Sequence, residues 1–176
     1  MLKKLYLYLS IALLLVAIPL FSQAQSVDDI TPKPVEVIKE RRGHVTIDGK
    51  AHIVYDKEFE GQAAYLKEML AAQTGLKLKS RATDQTIGKA SHHIRLVFDT
   101  KTIDKNEMYT LTVSGKDVTI RAKDTGGMVY GIQTLLQLFP LKQVREAKIS
   151  DVKIKDYPRF AYRGMHLDVS LSKNLR

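Results

Sequence analysis

The sequence predicts an α+β domain in which a mostly antiparallel sheet carries two helices packed on one face. Three observations lead there. Strand-like runs precede, separate and follow two helical segments, and one pair of runs alternates apolar and polar residues around a glycine turn. Each helical segment also has an apolar face to bury.

The elements follow in chain order. Residues 25–31 are polar and read as a flexible lead-in. Pro32-Lys33-Pro34 opens an extended piece, because a proline biases the residue before it away from helix. Val35, Val37 and Val45-Thr46-Ile47 suggest short strands around a turn at Arg42-Gly43, and a further strand covers Ala51 to Tyr55. From Glu58 to Thr74 the period changes. Phe59, Ala63, Leu66, Leu70 and Gln73 recur at spacings of three and four, with Glu58 and Glu60 at the start and Gly75 as a stop.

A polar stretch with at most one short strand leads to the β-rich run Ile94 to Phe98. In 108–122, Tyr109, Leu111 and Val113 alternate with Thr110, Thr112 and Ser114. After Gly115-Lys116-Asp117 the alternation resumes with Val118, Ile120 and Ala122. The second helix is capped by Asp124 or Thr125, and Gly126-Gly127 permits close approach of another backbone. Met128 to Phe139 is apolar nearly all round, which predicts a buried helix, and Pro140 ends it. A strand from Lys148 to Lys155 closes the domain.

The first 24 residues stand apart. Lys3 and Lys4 precede an apolar run from Leu5 to Phe21, broken only by Ser10 and Pro19, and Ser22-Gln23-Ala24 offers small residues for a cut after Ala24. This is the pattern of a secretory signal peptide, and the run is short for a membrane span of ~20 residues. No cysteine is present, so export brings neither a disulfide nor a lipid-modified cysteine. The expected localisation is periplasmic or secreted, with no stable membrane anchor after cleavage. The formal charge is +9 and becomes +7 when the two lysines leave with the signal. The densest cluster, Lys39-Glu40-Arg41-Arg42, is interrupted by an acid, and no nucleic-acid-binding module is recognisable, so no nucleic-acid partner is expected.

Within 25–150 nothing looks catalytic. Neighbours in a strand point to opposite faces, so His92-His93 is a poor ligand pair, and no Cys, Asp or Glu stands at metal-ligand spacing beside it. His44 and His52 are isolated, and Ser22, Ser91 and Ser114 lack a nucleophile elbow. Asp56, Glu58 and Glu60 suit a helix dipole better than acid–base work. Gly126-Gly127 lacks the further glycines or lysine of a phosphate loop.

Several segments resemble glycoside hydrolase family 20, the β-N-acetylhexosaminidases. They are Pro32-Lys33-Pro34, Glu107-Met108-Tyr109-Thr110-Leu111 with Val118-Thr119-Ile120, and the helix Gly126 to Leu138. Asp156-Tyr157-Pro158-Arg159-Phe160 and Tyr162-Arg163-Gly164-Met165-His166-Leu167-Asp168 look like the lead into the family's first barrel strand.

The resemblance implies a non-catalytic α+β domain at 32–155, after a signal peptide at 1–24 and the lead-in at 25–31. The truncated start of a (β/α)₈ barrel would follow at 156–176 as an orphan first strand. It implies hydrolysis of terminal N-acetylhexosamine residues by a retaining, substrate-assisted mechanism, with an adjacent Asp-Glu pair and no cofactor or metal. The glycan partners would be met through the missing barrel. No catalytic residue is therefore expected in this chain, since no Asp-Glu dipeptide follows Arg163. Arg163 alone resembles a substrate-binding residue, the arginine that hydrogen-bonds the hydroxyls of the terminal sugar.

After Asp168-Val169-Ser170 the family continues with Arg-His and an aromatic, whereas here Leu171 to Arg176 follow, which reads as a shifted frame or an early stop. A stand-alone secreted carbohydrate- or partner-binding module is the alternative. It would need an exposed aromatic platform, and there is no Trp.

Overall fold

A computed structural model describes residues 26–83, 92–160 and Gly164. The signal segment 1–24, Arg163 and the expected barrel strand lie outside the described residues. Among those described, seven strands and two α-helices follow in order: β1 (Glu36–Asp48), β2 (His52–Tyr55), α1 (Glu60–Thr74), β3 (Lys79–Ala82), β4 (His93–Phe98), β5 (Tyr109–Ser114), β6 (Asp117–Ala122), α2 (Thr125–Leu138) and β7 (Glu146–Asp156). The strands form one sheet in the order β1-β7-β5-β6-β4-β2-β3.

The sheet is mixed rather than mostly antiparallel. β1–β7, β5–β7 and β5–β6 pair antiparallel, while β4–β6, β2–β4 and β2–β3 pair parallel. The cause is the helices. A hairpin joins antiparallel neighbours, but a helix returns the chain to the end it came from, so the strands on either side of it run parallel. α1 connects β2 to its parallel neighbour β3. α2 connects β6 to β7, which flank β5 and are both antiparallel to it. Only one of these links, the β5–β6 hairpin, shows itself in a local sequence pattern.

Both helices pack on one face, as expected. α1 lies over β2 and β3, α2 over β5 and β6, and the two helices touch. Ala63, Leu66 and Leu70 of α1 and Met128, Ile132 and Leu135 of α2 are buried against Ile53, Ile94, Leu111, Val118, Ile120, Val152 and Ile154 of the strands. Each fully buried large side chain contributes roughly 1.5–3 kcal/mol.

α1 ends at Gly75, whose φ of 77° lets its N–H reach the Ala71 carbonyl at 3.0 Å. Gln73 then turns inward, and its Nε2 donates to the Leu136 and Phe139 carbonyls at 2.9 and 3.1 Å. One helix thereby satisfies the exposed carbonyl end of the other.

α2 is not buried all round. Tyr130 and Gln133 are exposed and Gln137 is half-exposed, which leaves a stripe at helical spacing on an otherwise buried helix. The opposite side explains the glycines. A Cβ on Gly127 would stand 2.4 Å from the Met108 carbonyl oxygen, and one on Gly131 would stand 2.6 Å from Ile120 Cγ2.

Two further expectations change. The strands placed around a turn at Arg42-Gly43 are one strand, β1, with a register break between Lys39 and His44. Both halves pair with β7, and Asp151 alone faces the excursion. A Cβ on Gly43 would lie 1.8 Å from Asp151 Oδ2, so a larger residue there requires the Asp151 side chain to move. Residues 26–31, read as a flexible lead-in, are tied down in the structure. Val27–Asp29 form a 3₁₀ turn and Ile30 is buried in the core. The Thr31 N–H donates to Gln137 Oε1 at 2.9 Å.

The loop after β4 is organised by Asp99. Its carboxylate accepts from the Thr102 hydroxyl at 2.7 Å and from the Lys101 and Thr102 N–H groups at 2.9 Å each.

Two outcomes follow. Gly127→Ala should lower stability by about 1–3 kcal/mol in denaturant unfolding, because the contact atom is backbone and cannot swing away. The Thr102 bonds pull the Asp99 carboxyl from its ordinary 3.8 down to about 2. A depressed carboxyl stabilises the fold above its unfolded value, so this contribution is lost as pH falls from 3.8 through about 2. Thermal unfolding of Asp99→Asn should show a shallower loss across that window than the parent.

Candidate functional site

The exposed stripe of α2 forms one wall of a cleft of about 860 Å³. The other walls are Thr31-Pro32-Lys33, Glu107, and the segment Asp156 to Arg159 in which the chain leaves β7. Tyr109 and Thr134 line it from the core side. The Tyr109 hydroxyl and Thr134 Oγ1 lie 2.6 Å apart, and burial pushes the Tyr109 phenol well above its ordinary range. That phenol therefore stays neutral and serves as a hydrogen-bonding post.

Hydrogen bonds hold the walls together. Gln137 clamps Thr31 from both sides, accepting from its N–H and donating to its carbonyl at 2.9 and 3.1 Å. The Val35 N–H donates to Asp156 Oδ1 at 3.1 Å, and Arg159 Nη2 donates to the Lys33 carbonyl at 3.2 Å. Lys105 stacks its ammonium 3.5 Å from the centre of the Tyr157 ring. The segment that enters the domain and the segment that leaves it are thus fastened to each other and to α2.

Asp124 fixes the remaining wall. Its Oδ1 accepts from the Gly127 N–H at 2.7 Å, which caps the helix as expected, and its Oδ2 accepts from the Glu107 N–H at 2.8 Å. Glu107 has a φ of 58°, the left-handed region that non-glycine residues rarely adopt. The Asp124 bond helps hold it there, with the Glu107 side chain at the cleft mouth beside the Tyr130 hydroxyl, 3.4 Å away. No sequence signal marked Glu107 for a positive φ. Its place opposite the helix N-terminus becomes visible only in three dimensions.

The structure disperses the residues weighed for chemistry from the sequence. Asp56, weighed for a helix dipole, stands at the start of the turn Lys57–Phe59 but makes no side-chain cap bond there. Its carboxylate accepts from the Thr83 hydroxyl at 2.7 Å and the Phe98 N–H at 2.8 Å, which ties β2 to both its neighbours. His92 and His93 separate as expected, with His92 Nδ1 3.0 Å from the Lys116 carbonyl.

The fold instead sets His93 beside His52, since these are register partners on parallel strands with ring centroids 6.4 Å apart. Partial burial pushes the His93 imidazole below its ordinary value. Among the described residues, no three His, Cys, Asp or Glu converge as metal ligands. Arg163 lies outside the described residues.

Comparison with known proteins places this architecture. The family model of Glycosyl hydrolase family 20, domain 2, matches residues 28–157. A β-hexosaminidase of Porphyromonas gingivalis is 33% identical over 148 residues, which cover 80% of this chain and 18% of that relative. A chitooligosaccharidolytic β-N-acetylglucosaminidase of Ostrinia furnacalis is 33% identical over 127 residues, covering 65% of this chain and 20% of the relative.

Among solved structures, a β-N-acetylhexosaminidase of Streptomyces plicatus superposes with a TM-score of 0.61 at 28% identity, over 78% of this chain and 28% of that one. The family 20 β-N-acetylhexosaminidase of Streptomyces coelicolor A3(2) gives 0.64 at 25% identity, over the same shares. The chain thus spans about a fifth of these sequence relatives and little more than a quarter of these structures.

Asp124→Ala should cost about 1–2 kcal/mol as a lost cap, together with the Glu107 bond. Asp124→Asn should retain only part of it, because the amide offers one acceptor oxygen where the carboxylate accepts with both. Chemical denaturation of both variants checks the difference.

Proposed function

The chain belongs to glycosyl hydrolase family 20, whose domain 2 it carries at residues 28–157, and from that premise we propose that it is the N-terminal, non-catalytic part of an exported β-N-acetylhexosaminidase. In this reading the complete enzyme removes terminal N-acetylhexosamine residues from glycans. The acetamide oxygen of the substrate attacks its own anomeric carbon. An aspartate orients that acetamide, and the adjacent glutamate protonates the leaving oxygen and then activates water. No Asp-Glu dipeptide occurs in residues 28–157, so in this reading the chemistry belongs to a part of the enzyme outside this domain. Arg163 is assigned to the hydroxyls of the terminal sugar, where a planar guanidinium can donate to neighbouring oxygens.

The observation that carries the reading is the cleft where β7 ends. The junction motif Asp156-Tyr157-Pro158-Arg159 forms one wall of it, facing the exposed stripe of α2. A rigid seat at the exit suits a domain that holds its neighbour. The signal-like segment 1–24 supports export to the periplasm or medium.

Two measurements test this. The purified mature chain should not hydrolyse a chromogenic N-acetylglucosaminide above buffer, and turnover with host enzyme excluded overturns the non-catalytic assignment. Residues 26–160 should also replace the matching segment of the Porphyromonas gingivalis β-hexosaminidase with retention of its activity. A folded but inactive chimera counts against the structural role.

A further inference from the structure

The face of the sheet opposite the helices has no covering layer among the described residues, and its composition is uneven. One register row runs Arg81–Val54–Arg95–Thr119–Thr112–Lys153 across β3, β2, β4, β6, β5 and β7. The next row runs Val97–Arg121–Thr110–Lys155. On β4, β5, β6 and β7 these positions alternate with the buried ones and so project from the open face, and the register sets Arg81 and Val54 in line with them. Five strand spacings make the first row about 24 Å long. Cations stand at both of its ends and near its centre, with threonine hydroxyls between them. Asp117 shares this face with Thr119 and Arg121, while the helix side mixes Glu58, Glu60 and Glu68 with Lys57 and Lys67.

We propose that this face binds a linear polyanionic glycan, one that carries a carboxylate or sulfate on its repeats. The cations already have partners of a weak kind. Arg95 meets Asp117 at 3.2 Å, Arg121 meets Asp99 at 3.3 Å and Lys153 meets Glu40 at 2.6 Å. The three basic side chains nevertheless remain 37%, 47% and 54% exposed. Exposed pairs of this type are held loosely, so an external anion can share or replace the carboxylate. Thr110, Thr112 and Thr119 add short hydroxyl donors and acceptors, which fit the oxygens of a sugar ring. The rows contain no aromatic ring on which a nucleic-acid base could stack. Their apolar residues are Val54, which is buried, and Val97, which is half-buried, so no apolar wedge enters a bilayer.

The test uses the mature chain at low ionic strength, titrated with heparin as the sulfated probe, polygalacturonate as the carboxylate probe, chitin oligosaccharide as the neutral control and duplex DNA as the rival polyanion. Binding to at least one of the two anionic glycans is expected, weakening as salt rises, with no binding of the neutral oligosaccharide. Lys153→Gln/Lys155→Gln should weaken it at least tenfold, whereas Lys67→Gln on α1 should not. Arg95→Gln should act like the lysine pair, and if it unfolds the chain the lysine pair carries the test. Absence of binding to both glycans, equal loss in Lys67→Gln, or tighter binding to DNA overturns the proposal. None of these results depends on whether the chain belongs to a hexosaminidase.

Discussion

The contact on which the rest of the domain depends is the one between α2 and the β5–β6 hairpin. Gly127 lies against the Met108 carbonyl and Gly131 against Ile120 and Tyr109. A helix brought this close to a sheet has little freedom to slide or rotate. Its fixed rotation buries Ile132, Leu135 and Leu138, places Thr134 under the Tyr109 hydroxyl and turns Tyr130, Gln133 and Gln137 outward. The cleft follows from that rotation. So does the position of α1, because Gln73 finds its carbonyl partners only where α2 presents its C-terminal end.

The entering segment is held by α2, and the leaving segment is held by the entering one. Thr31 is held by Gln137, Val35 by Asp156 and Lys33 by Arg159. These sites are far apart in sequence and adjacent in space. Local propensity contributes little to such a junction. It forms because the sheet has already brought β7 beside β1 and β5, with Tyr109 opposite Asp156.

Legibility in the sequence tracked the range of the forces involved. Helix boundaries, the Asp124 cap, the Gly75 stop and the hairpin turn at Gly115 depend on residues within a turn or two of one another, and they could be read directly. The parallel half of the sheet depends on which strands a crossover brings together, and a four-residue strand such as β3 carries too little pattern to show it. The excursion in β1 looked like a turn because Gly43 is a turn residue. In the fold it instead lies against the Asp151 side chain of another strand. The family was readable from the helix and junction motifs, and the match over 28–157 agrees. The cleft was not readable, since its walls come from four separate stretches of chain. The apolar count of α2 also concealed the three positions that face outward.

The excursion at residues 40–43 has one more effect. β1 is an outer strand of the sheet, and β3, at the other side, is four residues long. An outer strand that is long and even offers a template on which a second copy can add itself, backbone to backbone. Here the long one is interrupted where its register slips, and the short one carries Lys79 and Arg81. The same irregularity that accommodates Asp151 therefore works against the growth of ribbons of stacked copies.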